Sequence, residues 1–306
     1  MTVNDTPTVS ALLATNNRPD MVRGALQSIL DQTFTDFEVI VVDDGQEVSA
    51  EEAVRSFDDS RIRYIKHDTQ RGCAGSRITG INASSGRYIA YLDDDDRWMP
   101  EKLSTQVARM EAAPADVGFS FTAVKQVFDT HTQVTTVPDG VADYFDQALA
   151  VWSGFLSVTL LFKREVFETI GVPDPSYPSH TDIEFILRVS KKYRGVGINE
   201  PLTFVNSKTD HSHMGIDFTN RIRGCEMLLA RHEDDLALRP HVHARHLAKL
   251  AWYYRSNKEY ERARQKYAQS IMLDVSFRRV VHYLSLVGNG AGYRMFRTIK
   301  ALLGRT

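Results

Sequence analysis

Short apolar runs alternate with amphipathic stretches through the first third of the chain. Val9–Ala14, Phe37–Val42, Ile62–Ile65 and Tyr88–Leu92 are compact runs that suit strands of a sheet covered on both faces. Between them, Met21–Asp31 sets Val22, Ala25, Leu26 and Ile29 on one helical face, and Ala50–Phe57 and Ala74–Ala83 also read as helices. This alternation predicts βαβ units with right-handed crossovers: an α/β domain with a Rossmann-like, mixed and mostly parallel sheet flanked by helices. Further along, Gly118–Phe128, Phe155–Phe162 and Val196–Val205 read as strands, and helices are expected over Met99–Met110, from near Arg164, and from Thr181. Residues 131–148 have no clear period and read as a loop. From about Thr219 the pattern is wholly helical.

The first four strands differ in how they end. Three of them finish in polar tips: Thr15-Asn16-Asn17-Arg18, Asp43-Asp44, and the run Asp93-Asp94-Asp95-Asp96. In a parallel sheet these tips share one edge, where open α/β sheets bind their ligands. Together they suggest a polar pocket of nucleotide size, with Arg71 and Arg77 adding positive charge. Four adjacent carboxylates repel one another, and a hard divalent cation, Mn²⁺ or Mg²⁺, carried with ligand phosphates is a natural counter-charge. Asp96 has a second reading as the cap of the helix expected from Met99. No Gly-Lys-Ser/Thr loop is present, and no G-x-G-x-x-G follows the first strand, so the phosphate-binding signatures of P-loop and dinucleotide folds are absent.

Composition narrows the class. The 306 residues carry a net charge of −2, so nothing in the balance calls for nucleic acid. Cys73 and Cys225 are the only cysteines, which excludes a disulfide framework and a cysteine-built zinc site. The polar N-terminus lacks the pattern of a signal peptide, and no apolar run reaches membrane-spanning length. The expectation is a cytoplasmic protein. After Asp274 the charged residues are all basic, and the segment 293–303 places Met295, Phe296, Ile299 and Leu302 among them. It reads either as an amphipathic helix for an anionic inner membrane face or as a terminal helix packed on its own protein. Gly288–Gly292 reads as a joint, the histidines at 241, 243 and 246 as plain helix surface, and Ala251–Asp274 as part of one tetratricopeptide-like hairpin.

The ordered pieces resemble family 2 glycosyltransferases of the GT-A fold. They are Val9–Arg18; Ser28–Phe34 with Phe37–Gly45; Arg71-Gly72 with Ser76–Ile81; and Tyr91–Asp96 with Pro100–Leu103. The resemblance covers about residues 8–110, and more weakly the chain to about 205. It implies a GT-A domain over 1–215, with a nucleotide-sugar half at 1–112 and an acceptor half at 113–215, followed by a helical region over 216–306. It further implies a metal-dependent hexosyltransferase, acting in polysaccharide or glycoconjugate synthesis. The donor would be a nucleoside-diphosphate sugar, UDP or dTDP by default, and the acceptor a hydroxyl of a glycan or lipid-linked glycan. Thr15, Asn17, Arg18, Asp44 and Arg77 would lie around the nucleotide. Asp93, Asp94 and Asp95 would form the Asp-x-Asp element, its register open by one, with Asp95 and Asp93 on the metal.

Thr181-Asp182-Ile183-Glu184 has two readings. It is a capping box at a helix start, and Asp182-x-x-Phe185-x-x-Arg188 also resembles the family's Glu-Asp motif, with Thr181 in place of the glutamate. That resemblance makes Asp182 the catalytic base. A single base with no second carboxylate as nucleophile implies inversion at the anomeric carbon. His211 and His213 are candidates for the diphosphate or the metal. The rival readings are a sugar-1-phosphate nucleotidyltransferase, which would want a lysine-bearing glycine loop after the first strand, and a non-catalytic scaffold using its helical end.

Overall fold

The computed structural model describes residues 6–150, 155–207 and 217–286. His211, His213, the Gly288–Gly292 joint and the basic segment 293–303 lie outside them. The chain forms two compact units: one takes in residues up to Pro175 together with Asp182–Ser212, the other Ser176–Thr181 together with His213 onward.

The first unit opens with β1 (Val9–Thr15), α1 (Pro19–Leu30), β2 (Phe37–Asp43), α2 (Glu51–Arg55), β3 (Ile62–Lys66), α3 (Gly72–Ala83) and β4 (Tyr88–Asp93). It continues with β5 (Arg97–Trp98), α4 (Lys102–Glu111), β6 (Val117–Val127), β7 (Thr132–Val134), β8 (Gly140–Ala142) and α5 (Phe145–Ala150). A 3₁₀ turn at Ser157–Thr159, β9 (Leu161–Lys163), α6 (Arg164–Ile170), α7 (Thr181–Ser190) and β10 (Arg194–Asn206) complete it.

One sheet runs β3-β2-β1-β4-β9-β6-β10-β5, with β7 on β6 and β8 on β10. Its long ladders, β3/β2/β1/β4 and β6/β10, are parallel, and the antiparallel pairings are only two or three residues long. This is the mixed, mostly parallel GT-A sheet. The apolar runs of β1, β2 and β4 are buried on both faces, with Val9, Ala11, Leu13, Val39, Val41 and Ala90 fully enclosed. α1 covers one face through Val22, Ala25, Leu26 and Ile29, the stripe its spacing foretold. Register fixes the functional edge: Thr15 lies opposite Asp43 on β2, and Ala14 opposite Asp93 on β4.

Four expectations are corrected. Phe155–Phe162 is not a strand throughout. Ser157–Thr159 coils into a 3₁₀ turn, in which the Thr159 hydroxyl donates to the Leu156 carbonyl at 2.7 Å, and only Leu161–Lys163 pairs in the sheet. Hydroxyl side chains that bond their own backbone compete with a ladder. The helix expected from Met99 begins at Lys102, because Arg97–Trp98 pairs with β10 and the following Pro100 disfavours helical backbone at Met99. Asp96 therefore caps no helix; its carboxylate accepts the Asn206 backbone N–H at 3.0 Å. Residues 131–148 hold β7, β8 and α5; the two strands are too short and too exposed to show a period.

The second unit contains α8 (Phe218–Arg231), α9 (Glu233–Ala237), α10 (Pro240–Ser256), α11 (Tyr260–Leu273) and α12 (Phe277–Leu284). α10 and α11 pack as a helical hairpin joined by Asn257–Glu259, burying Ala244, Ala251, Tyr254, Ala263 and Tyr267. The plain-surface reading of the histidines fails for His246, which is buried at 4% exposure. It stands on the inward stripe of α10 with Val242, Leu250 and Tyr253. Among the described residues no helix is long and apolar enough to cross a membrane.

Behind the acidic turn, Lys102 is fully buried. Its ammonium lies 4.4 Å from the Trp98 ring centre and donates to Gln106 Oε1 at 2.5 Å, with no carboxylate beside it in those contacts. Burial pushes its pKa down to about 7. The unfolded chain holds a proton there up to about pH 10.5, whereas the folded chain sheds it near 7, so this residue's contribution to stability rises with pH across that window. Urea unfolding of wild type and Lys102→Met from pH 6.5 to 10.5 should show wild type gaining on the variant as pH rises; a difference independent of pH would refute the assignment.

Candidate active site

The site is built from the ends of β1, β2 and β4. A tight turn closes after β4, with the Asp96 N–H donating to the Asp93 carbonyl at 3.1 Å. The turn sorts the four carboxylates. Asp94 is 2% exposed and Asp96 6%, whereas the Asp93 and Asp95 side chains keep 37% and 14% of their surface. The first and third aspartates keep exposed side-chain surface, and the second and fourth are built into the protein.

Each inward carboxylate has a partner. Thr15 Oγ1 donates to Asp94 at 2.7 Å, and the Arg18 guanidinium stands 3.4 Å from Asp94 and 3.3 Å from Asp95. Burial pushes the Asp94 carboxyl up to about 6, against the pull of Arg18 and the Thr15 hydroxyl. Asp96 is pushed higher, to about 8, by burial and by the charge of Asp93, with the Asn206 N–H working the other way. Asp93 meets Arg77 at 3.2 Å. Arg77 comes from the buried face of α3, lies 5.5 Å from the Tyr91 ring centre, and donates to Ser157 Oγ at 2.7 Å. Burial works against its charge, but Cys73, Asp93, Asp182 and Tyr91 around it raise its pKa further. The neighbouring Cys73 thiol is pushed up to about 11, chiefly by burial, so it stays protonated at neutral pH.

Asp44 and Asn17 are turned to the protein. Asp44 Oδ1 takes His67 Nδ1 at 2.7 Å and the Arg71 N–H at 2.8 Å, while Oδ2 takes the Gly72 N–H at 2.8 Å. Those amides open α3, so Asp44 caps that helix from a different loop, where a negative charge also suits the helix dipole. Gly72 enters the helix at φ +72°, a conformation that favours glycine. Asn17, itself at φ 57°, accepts the N–H groups of Glu47 and Val48 through Oδ1 at 3.0 Å each, which ties the β1 loop to the β2 loop.

Asp182 stands in the first turn of α7, where Oδ1 accepts the Ile183 N–H at 2.9 Å. Its charge is felt by both Arg77 and Cys73, the two groups that also feel the charge of Asp93. Glu184, the other acid of the capping pattern, is fully buried. Both its oxygens accept from Arg188, at 2.5 and 2.9 Å, and Arg188 also binds the carbonyls of Ile170 and Val172. Sequence reasoning missed Ser157; its segment reads as an apolar strand, and nothing in the pattern marks that hydroxyl.

Among the described residues no cluster of three or more His, Cys, Asp or Glu side chains is arranged to hold a metal ion. Mg²⁺-type ions need only one or two carboxylates when ligand phosphates and water complete the shell. Asp93 and Asp95 would be the two carboxylates of such a shell.

Residues 10–171 match the family described as Glycosyl transferase family 2. The chain belongs to that family and is a glycosyltransferase. An uncharacterized glycosyltransferase of Haemophilus influenzae is 30% identical over 69% of this chain and 72% of its own length. The UDP-Glc:alpha-D-GlcNAc-diphosphoundecaprenol beta-1,3-glucosyltransferase WfgD of Escherichia coli is 35% identical, over 33% of this chain and 40% of its own. Among solved structures, S. aureus TarS 1-349 in complex with UDP-GlcNAc has a TM-score of 0.64 at 16% identity, covering 94% of this chain and 89% of that one. The mannosyltransferase PcManGT from Pyrobaculum calidifontis, in complex with GDP-Man and Mn2+, has a TM-score of 0.58 at 19% identity, covering 97% and 84%. These two likenesses establish the fold.

Asparagine at position 44 would keep one acceptor oxygen where three donors now converge. Asp44→Asn should therefore lower unfolding free energy by about 2 kcal/mol, the usual scale for a lost hydrogen bond to a charged group. Urea unfolding measures this, and unchanged stability would show that the carboxylate does not hold α3.

Proposed function

We propose that this glycosyltransferase moves a sugar from a nucleoside-diphosphate donor to an acceptor hydroxyl, with inversion at the anomeric carbon and with Mn²⁺ or Mg²⁺ as cofactor. One observation carries the reading: the outward carboxylates Asp93 and Asp95, the buried Arg77 and the helix-borne Asp182 converge on one sheet edge. Family membership favours glycosyl transfer over nucleotidyl transfer and over a non-catalytic scaffold.

The residues divide the work. Arg18 and Arg77 keep the acidic turn compact and supply positive charge beside the donor's diphosphate. Asp44 and Asn17 shape the wall of the nucleotide pocket by fixing its loops, and Thr15 and Asp94 hold the turn from below. Asp182 takes the proton of the acceptor hydroxyl as that oxygen attacks the anomeric carbon; the bond to the diphosphate breaks, and the nucleoside diphosphate leaves. Attack from the face opposite the leaving group inverts the configuration. Asp93 and Asp95 would hold the metal, and His213 is a further candidate ligand. When bound, the ion supplies Lewis-acid neutralisation of the leaving diphosphate.

A uridine or thymidine diphosphate is the favoured donor carrier. The named substrates of the E. coli relative support UDP-glucose as donor and a diphosphate-lipid-linked glycan as acceptor class, in polysaccharide synthesis.

Calorimetric titration with UDP, dTDP and GDP, each with and without Mn²⁺, should reveal one nucleotide whose binding strengthens with the metal. Asp95→Ala should remove that strengthening. Asp182→Asn should retain nucleotide binding while cutting transfer at least about 100-fold, the scale of a lost general base. Transfer by Asp182→Asn at the wild-type rate would overturn the assignment of the base.

A further inference from the structure

We propose that Ser157 is a positioning residue that fixes Arg77, and through it Asp93, for donor binding; the idea rests on the function proposed above. The guanidinium NH2 of Arg77 is shared between Ser157 Oγ at 2.7 Å and Asp93 at 3.2 Å. The same nitrogen meets both groups, and its contact to the serine is the shorter. Among the described residues the Arg77 Nε has no hydrogen-bond partner, and the ring contact with Tyr91 is distant at 5.5 Å. The pair is enclosed, with Arg77 7% and Ser157 6% exposed, so water competes poorly for either group.

The turn that carries Ser157 is pinned from three elements. Trp98 Nε1 of β5 donates to the Val158 carbonyl at 3.1 Å, and Thr203 Oγ1 of β10 reaches the same oxygen at 3.4 Å. Gln106 Nε2 of α4 donates to the Thr159 carbonyl at 3.0 Å and to Ser120 Oγ at 3.0 Å. Trp98 lies two residues beyond the acidic turn, and Gln106 also holds Lys102. The 3₁₀ turn is thus anchored to the chain that leaves the acidic turn, while its own hydroxyl steadies the arginine that enters from α3. Both ends of the Arg77–Asp93 contact refer to one buried frame. Placement of Asp93, the most exposed carboxylate of the acidic turn, then depends on a serine that need not touch the ligand.

A double-mutant cycle tests this by a readout other than turnover. Wild type, Ser157→Ala, Arg77→Lys and the double variant are titrated calorimetrically with the tightest of UDP, dTDP and GDP in the presence of Mn²⁺, and each is melted without ligand. Ser157→Ala should weaken binding about tenfold, the worth of one hydrogen bond to a charged group. In the Arg77→Lys background the same change should cost less than about twofold, because its route of action is gone. A serine that only supports the fold would weaken binding equally in both backgrounds, and that additive result overturns the proposal. So does Ser157→Ala binding within twofold of wild type. Asp93→Asn, titrated alongside, reports on the functional reading: unchanged Mn²⁺-dependent binding there, or no nucleotide binding by wild type, overturns that reading and this proposal with it. Loss in Asp93→Asn without loss in Ser157→Ala overturns the positioning role alone.

Discussion

Four carboxylates in a row at the end of a buried strand are an electrostatic problem, and the architecture around them is its solution. The turn after β4 sends alternate aspartates in opposite directions, which relieves their mutual repulsion. The inward pair is met by a threonine hydroxyl, a backbone amide and an arginine shared with Asp95, while burial raises both carboxyls. The other pair keeps some exposed surface and meets one arginine each. The partners come from three places in the chain: Thr15 and Arg18 from the β1 end, Arg77 from α3, Asn206 from β10. The turn therefore acts as a keystone, because its charge can be managed only when those elements are already in register.

The same logic extends outward. Asp43, beside Asp44, is completely buried. Its oxygens gather Tyr64, the amides of Ala50 and Gly45, and Lys66. Burial alone would raise its pKa, but these donors outweigh it and hold the carboxyl below its ordinary value. Neighbouring aspartates on β2 thus organise the loops toward α2 and α3 respectively. Much of the acidity at this edge is scaffold, and only a small part of it faces the open side.

The strands and their polar ends were legible because buried parallel strands are apolar runs that stop abruptly. The parallel frame, the shared edge and the family resemblance follow from that punctuation. The direction of each polar side chain was not legible. Asp44 and Asn17 carry the residue types of ligand-binding groups, yet their partners are backbone amides brought together only by tertiary structure. The alternation within Asp93–Asp96 depends on turn geometry, which four identical letters cannot encode. Ser157 was hidden for a similar reason: an apolar stretch with two hydroxyls looks like a strand until the arginine and tryptophan that hold it as a turn are known.

The three-residue strand β9 lies between two parallel blocks, β3/β2/β1/β4 on one side and β6/β10 on the other, and runs against both. It shares only three paired positions with β4 and two with β6. That makes it a narrow seam through an otherwise continuous sheet. The half bearing the acidic turn is joined to the half beyond the seam a second time, where β5 pairs with β10 and the Asn206 N–H meets Asp96. Loops and edge strands beyond the seam can therefore vary only where they leave that second join in place.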